Sequence, residues 1–183
     1  MSVEEHKDSN TSVHCMVVTV SDTRTDASDK SGDLMVRLLK EAGHYNVVKE
    51  MVPDESSAIA NKISAGCTNP DIDVILLNGG TGIAYRDVTI ETVTPMLDKE
   101  MSGFGELFRM LSYTDDIGSA AILSRAIGGV IGDTAVFAVP GSSGAVMLAM
   151  NRLIVPELAH VAGELKKDGQ AFDETGSFSS DKS

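Results

Sequence analysis

At 183 residues, 42% of them hydrophobic and 23% charged, the chain has enough apolar material for one well-buried domain. Its 27 acidic against 15 basic residues give a net charge of −12, which excludes a broad electrostatic grip on nucleic acid, because that needs a basic face. A small phosphate site stays compatible with this balance, since a few local donors and a bound metal ion outweigh the mean field.

In chain order, the charged and polar start at Met1–Asn10 is unlike a signal peptide, and residues 1–12 read as a flexible tail. Cys15 to Val20 is a strand ending at Ser21-Asp22. After the polar loop Thr23–Ser31, Leu34, Met35, Leu38, Leu39 and Ala42 recur at helical spacing, with Gly43 as the stop. Val47 to Val52 is the next strand, and Asp54 stands where an N-cap belongs, before a helix carrying Ala58, Ile59 and Ile63 on one face. Asp73 to Leu77 is a short apolar strand suited to burial on both faces. Pro95 predicts a short or broken helix in the segment after Asp87.

Phe104, Leu107, Phe108 and Leu111 form an apolar helical stripe, and Ile117 to Ala126 reads as a further helix. Thr134 to Val139 is the last strand, and Ala145 to Lys167 is helical, with Pro156 at the start of a new helix or at a kink. Residues 168–183 read as a second flexible tail. The alternation of strands and helices predicts one α/β domain over 13–167, a mostly parallel sheet with helices on both faces. Cys15 and Cys67, without CxxC spacing, read as small buried apolar residues, and the four histidines show no zinc spacing. No apolar run approaches the length of a membrane span, which with the polar start places the protein in the cytoplasm, away from any membrane.

Three strand ends are loop-rich and polar: Ser21-Asp22, Asn78-Gly79-Gly80-Thr81-Gly82 and Pro140-Gly141-Ser142-Ser143-Gly144. In a parallel sheet all three fall on the C-terminal edge, where open α/β sheets bind ligands. Taken singly, each is an ordinary turn or cap; together with Asp54 they point to a binding cleft. The glycines let the backbone turn and bring N–H groups close to an anion. No standard phosphate fingerprint is present: GxxxxGK[ST] is absent, and Gly80-Thr81-Gly82-Ile83-Ala84-Tyr85 fails GxGxxG at its last position. Asp54 and Asp87 are the candidates for chemistry, because carboxylates help at a phosphate when Mg²⁺ lies between them. The alternatives are an N-cap for Asp54 and a salt bridge or cap for Asp87, while Arg86 is either a phosphate donor or a solvated charge.

The ordered pieces resemble the MoaB/MogA family of molybdenum-cofactor biosynthesis proteins. They are TVSD (Thr19–Asp22), DKSG (Asp29–Gly32), VPDE (Val52–Glu55), NGGTG (Asn78–Gly82), RDVTIE (Arg86–Glu91), GFGELFRMLSY (Gly103–Tyr113), LSRA (Leu123–Ala126), PGSSGA (Pro140–Ala145) and PEL (Pro156–Leu158). The resemblance covers roughly residues 14–167, and GFGELFRMLSY and PGSSGA lie closer to the MoaB branch. The resemblance implies a three-layer α/β/α sandwich that binds molybdopterin. It further implies Mg²⁺-dependent transfer of AMP from ATP to the molybdopterin phosphate, with pyrophosphate released. The alternative within the family is a non-catalytic molybdopterin-binding oligomer that stores or hands on the intermediate. Carried onto matched positions, Asp54 and Asp87 are the catalytic, Mg²⁺-holding pair. Ser21, Asp22, Gly79, Gly80, Thr81, Gly82, Gly141 and Ser142 contact molybdopterin or nucleotide. Assembly as a homotrimer, or as a homohexamer of two trimers, is implied as well.

Overall fold

Alternating apolar residues in three central strands bury both faces of a sheet, and helices close over each face. The computed structural model describes residues 12–175 of the chain, with side chains to Lys167. The strands are β1 (Cys15–Val20), β2 (Val47–Val52), β3 (Val74–Asn78), β4 (Lys99–Glu100), β5 (Ile127–Ile131) and β6 (Thr134–Val139). The helices are α1 (Lys30–Glu41), α2 (Ser56–Cys67), α3 (Thr89–Val93), α4 (Ser102–Asp115), α5 (Ser143–Ala149) and α6 (Val155–Thr175). The expected tails lie outside the described residues except for Ser12 and the backbone of 168–175, which continues α6.

The sheet runs β2-β1-β3-β6-β5-β4. The first four in that order are parallel, and β5 and β4 form an antiparallel edge. Cys15, Val17, Val74, Leu76, Ala135 and Phe137 point to one face, where Met35 and Leu39 of α1, Phe108 of α4, Ala149 of α5 and Leu158 of α6 cover them. Met16, Val18, Ile75, Leu77, Val136 and Ala138 point to the other, against Ile59 and Ile63 of α2 and Val93 of α3. This period-2 division between two buried faces makes the molecule the three-layer α/β/α sandwich read from the sequence.

β1, β2 and β6 have the expected bounds, and β3 begins one residue later than expected. Gly43 does end α1, with φ +91°. Pro95 falls in a 3₁₀ turn, Thr94–Met96, that follows the one-turn α3, as a broken helix requires. Pro156 is the second residue of α6, directly after a π-helical turn, Met150–Ile154, which opens the ladder where proline cannot donate.

Four expectations are corrected. α1 begins at Lys30, inside the segment read as loop, because the Asp29 carboxylate caps it by accepting the Gly32 N–H at 3.0 Å. The helix expected over 117–126 is only a 3₁₀ stretch, Gly118–Leu123, and leads directly into the unforeseen strand β5. On α4 the buried stripe is Phe104, Gly105, Phe108 and Ser112, while Leu107 is exposed. The run Ser143–Lys167 is long and apolar enough by composition to cross a membrane, contrary to the sequence reading, but Val146, Ala149, Met150, Ile154 and Leu158 pack into the core.

Candidate functional site

Register places the site before any side chain is considered. Thr19 pairs with Asn78 and Asn78 with Val139, so β1, β3 and β6 end level, and Val20 pairs with Val52 of β2. From β1 the chain moves outward to β2 on one side and returns to β3 on the other, leaving a crevice at the strand ends between β1 and β3. A cavity of about 410 Å³ opens there. It is lined by Ser21, Asp54, Gly79, Gly80, Thr81, Gly82, Asp87, Gly141 and Ser142, with Thr23 and Arg24 added. Of the catalytic and binding residues carried over from the family resemblance, Asp22 alone does not line it.

The glycine loop is close-packed against both carboxylates. Gly79 and Gly80 have φ of +102° and +62°, conformations that favour glycine. A Cβ on Gly80 would lie 2.4 Å from Thr89 Oγ1 and 2.9 Å from Asp54 Oδ1, and one on Gly82 would lie 2.6 Å from Asp87 Oδ2. The Gly79 N–H donates to the Val139 carbonyl at 3.0 Å, which takes it out of any anion cradle. Gly80, Thr81 and Gly82 keep amides that donate to no protein acceptor in the hydrogen bonds among the described residues. These three residues line the cavity together with Asp54 and Asp87.

Asp54 does not cap α2: Glu55 is the N-cap, without a side-chain bond. Instead Asp54 Oδ2 accepts the Asp22 N–H at 2.9 Å and Asp22 Oδ1 accepts the Asp54 N–H at 3.0 Å, a reciprocal clasp between the loops after β1 and β2. Arg86 does not line the cavity; it is an exposed charge, as one of the two sequence alternatives had it, and its Nε donates to Asp22 Oδ2 at 2.8 Å. Asp87 Oδ2 accepts the Ala84 N–H at 2.9 Å and so closes the turn after the glycines. Burial raises the Asp54 carboxyl above the ordinary carboxylate range, and the negative charges of Asp22 and Asp87 add to this.

Two arginines to which the sequence reading gives no site role hold the site in shape. Arg125 Nε donates to the Thr81 carbonyl at 2.9 Å and Nη2 to the Gly82 carbonyl at 2.6 Å. Its Nη1 and Nη2 also grip Glu91 at 2.5 and 3.1 Å, which raises the guanidinium and lowers Glu91 through that same pair. Arg24 Nη2 donates to the Gly141 carbonyl at 2.7 Å, tying the loop after β1 to the loop after β6. Beneath it lies a buried network: Thr19 Oγ1 donates to Asp29 Oδ2 at 2.8 Å, Ser31 Oγ to Asn78 Oδ1 at 2.6 Å, and Asn78 Nδ2 to Thr19 Oγ1 at 3.0 Å. Ser142 has a double position, since its Oγ accepts the Ala145 N–H at 3.2 Å as the N-cap of α5.

Arg125→Ala removes two charge-assisted bonds to loop carbonyls, each worth ~1.5–3 kcal/mol. The hydrogen-bonded loop amides of Ala84 and Asp87 should then exchange with solvent at least ~10-fold faster, read by hydrogen exchange, while core strands stay protected. Unchanged exchange in the loop would remove Arg125 as its clasp.

Among the described residues no group of three or more His, Cys, Asp and Glu side chains forms a metal cage. Asp54 and Asp87 do fit Mg²⁺ of the kind that takes one or two carboxylates and completes its shell with substrate phosphates and water. They are hard oxygen donors facing one cavity, and the arginine acting on Asp54 is already engaged by Asp22.

Comparison with known proteins gives the family. The family model described as Probable molybdopterin binding domain matches residues 16–160. A Molybdenum cofactor biosynthesis protein B of Bacillus subtilis (strain 168) is 63% identical over 169 residues, covering 92% of this chain and 99% of that protein. The chain belongs to the molybdopterin-binding family of molybdenum-cofactor biosynthesis proteins. Within this family a crystal structure of Molybdenum cofactor biosynthesis protein B superposes with a TM-score of 0.84 at 59% identity, over 86% of this chain and 98% of that one. The tungsten cofactor synthesizing protein MoaB from Pyrococcus furiosus matches with a TM-score of 0.71 at 34% identity, over 85% and 98%. The resemblance to the MoaB branch read from the sequence is thus borne out, and the family's role in molybdenum-cofactor biosynthesis applies to this protein.

Proposed function

We propose that this protein binds molybdopterin and adenylylates it with Mg-ATP. The observation that supports this best is the convergence of Asp54 and Asp87 on the glycine loop Gly80-Thr81-Gly82 in one cavity at the strand ends. In the reaction a terminal phosphate oxygen of molybdopterin attacks the α-phosphorus of ATP. The bond from that phosphorus to the bridging oxygen breaks, and pyrophosphate leaves with the electron pair. Such transfer demands positioning and charge neutralisation more than covalent chemistry from the protein. Gly80, Thr81 and Gly82 donate N–H groups to a phosphate oxygen, while Arg125 holds the carbonyls of Thr81 and Gly82 and the Thr89 N–H holds that of Gly80. Asp54 and Asp87 hold Mg²⁺, which when bound offsets charge on the phosphates. The clasp between Asp54 and Asp22 keeps the first carboxylate in place.

The direct test is incubation of the protein with molybdopterin and Mg-ATP, followed by chromatography for adenylylated molybdopterin and pyrophosphate. Tight molybdopterin binding without product would leave the carrier that stores or hands on molybdopterin. The oligomer is a homotrimer or homohexamer in this reading. Its support is an exposed apolar surface on α4 and the turn beyond it, including Leu107, Met110, Tyr113 and Ile122. The compartment is the cytoplasm.

Asp54 has a pH signature. A carboxyl whose folded pKa is raised contributes stability that is present below its unfolded pKa and lost as pH rises through the folded pKa. At neutral pH the ionised Asp54 therefore works against folding, and Asp54→Asn is expected to have a slightly higher Tm while losing Mg²⁺-dependent ATP binding. In the wild type that binding should weaken on acidification at a higher pH than an ordinary carboxylate would give. Calorimetric titration across the acidic range checks both, and unaltered Mg²⁺ dependence in Asp54→Asn would exclude Asp54 as a ligand.

A further inference from the structure

The loop from Gly82 to Asp87 is anchored at both ends and bare at its tip. Arg125 fixes the carbonyls of Thr81 and Gly82, Asp87 holds the Ala84 N–H, and Arg86 turns to Asp22. Between these anchors Ile83 is 71% exposed and Tyr85 is 100% exposed. Two large apolar side chains held away from the core forgo the burial that would stabilise them. Gly82 and Asp87 both line the cavity, so the tip that joins them begins and ends on its wall, while Ile83 and Tyr85 project beyond the lining.

The cavity explains what such a tip is for. At about 410 Å³ it lies near the small end of ligand pockets, ~300–1,000 Å³. Its lining is glycine, serine, threonine, aspartate and arginine, with Val20 and Pro140 as its apolar members. That lining suits phosphate and offers no broad face to a flat ring. The reaction proposed above joins two phosphorylated compounds, each of which carries a planar heterocycle.

We propose that Tyr85, with Ile83 beside it, is an apolar platform next to the cavity that stacks on the planar heterocycle of a phosphate-bearing ligand whose anionic end lies in the glycine loop. This rests on the transferase reading and adds specificity-determining residues to it. Adenine and pterin share the required chemistry, a flat π face on an anionic tail. Stacking on an aromatic side chain accepts either, because it reads the face rather than the edge of the ring. The anchored loop limits the conformational freedom lost when the ring is covered.

The test is calorimetric titration of wild type, Tyr85→Ala and Tyr85→Phe with Mg-ATP, Mg-tripolyphosphate and molybdopterin. Tyr85→Ala is expected to weaken ATP or molybdopterin about tenfold or more, the scale of losing one stacked base. Tripolyphosphate, which has no ring, should bind as before, and Tyr85→Phe should restore the lost affinity. Loss confined to ATP assigns the platform to adenine, and loss confined to molybdopterin assigns it to the pterin. Unchanged affinity for both ligands in Tyr85→Ala overturns the platform and leaves the transferase reading standing, as does an equal loss for tripolyphosphate. A loss in Tyr85→Phe as large as in Tyr85→Ala would put the effect on the hydroxyl and overturn stacking. Wild-type protein that binds neither ATP nor molybdopterin would overturn both readings together.

Discussion

Asp87→Asn is expected to lower the rate of molybdopterin adenylylation at least ~10²-fold, the scale of losing a key electrostatic group at a reacting phosphate. The substitution keeps the shape of the side chain and an oxygen to accept the Ala84 N–H, so the turn after the glycines should survive. What it removes is a negative charge that acts on Asp54, and with it one of the two carboxylates that line the cavity and that we propose hold Mg²⁺. Folding should be unaffected, read as an unchanged Tm, and the loss should appear in kcat. Near-wild-type turnover in this variant would take Asp87 out of the mechanism.

Asp29→Ala is expected to have the largest effect on stability, about 3 kcal/mol, because it leaves several buried donors without their acceptor. The Asp29 side chain is buried; it caps α1 through the Gly32 N–H and accepts the Thr19 hydroxyl. Arg24 and Lys49 approach it at 3.9 and 3.6 Å. For a domain of this size the Tm should fall by roughly 6–12 °C. Because Thr19, Ser31 and Asn78 are bonded in one network that meets Arg24, ligand affinity should drop as well. Asp29→Asn, which keeps one acceptor for the Gly32 N–H, should lose less on both counts. Thermal unfolding that places the alanine variant within a degree or two of wild type would show that Asp29 is dispensable to the fold.

The parts of the fold that were legible in the sequence are those whose signal is local. β1 and β6 read as strands because every residue in them is apolar or β-branched and buried, and a loop of polar residues ends each one. β5 was missed because Ile127-Gly128-Gly129-Val130-Ile131 looks like a loop. The glycines are there for contact: a Cβ on Gly128 would meet Phe137 at 2.8 Å, and one on Gly129 would meet the Lys99 carbonyl at 2.5 Å. A signal for this hairpin was present, since Gly132-Asp133 is a two-residue connection between paired strands and Gly132 has φ +56°. On α4 the helical period was right, but Leu107 was assigned to the wrong side, because an exposed apolar residue and a buried one look alike in a sequence.

The sequence by itself determined the α/β class, the family and the set of loops that build the cavity. Apolar periodicity and glycine backbone freedom act over a few residues, and a parallel sheet brings its strand ends to one edge. Tertiary structure alone decided which polar groups remain available there. Arg125 meets Thr81 across 44 residues and Arg24 meets Gly141 across 117, separations at which no local pattern selects a partner. The same holds for Asp54, which pairs with Asp22 rather than capping α2, and for Gly79, whose amide is taken by Val139. A polar group bonds whichever complementary group packing brings within about 3 Å, and in this fold that choice leaves the amides of Gly80, Thr81 and Gly82 without a protein acceptor among the described residues, on a loop that lines the cavity with Asp54 and Asp87.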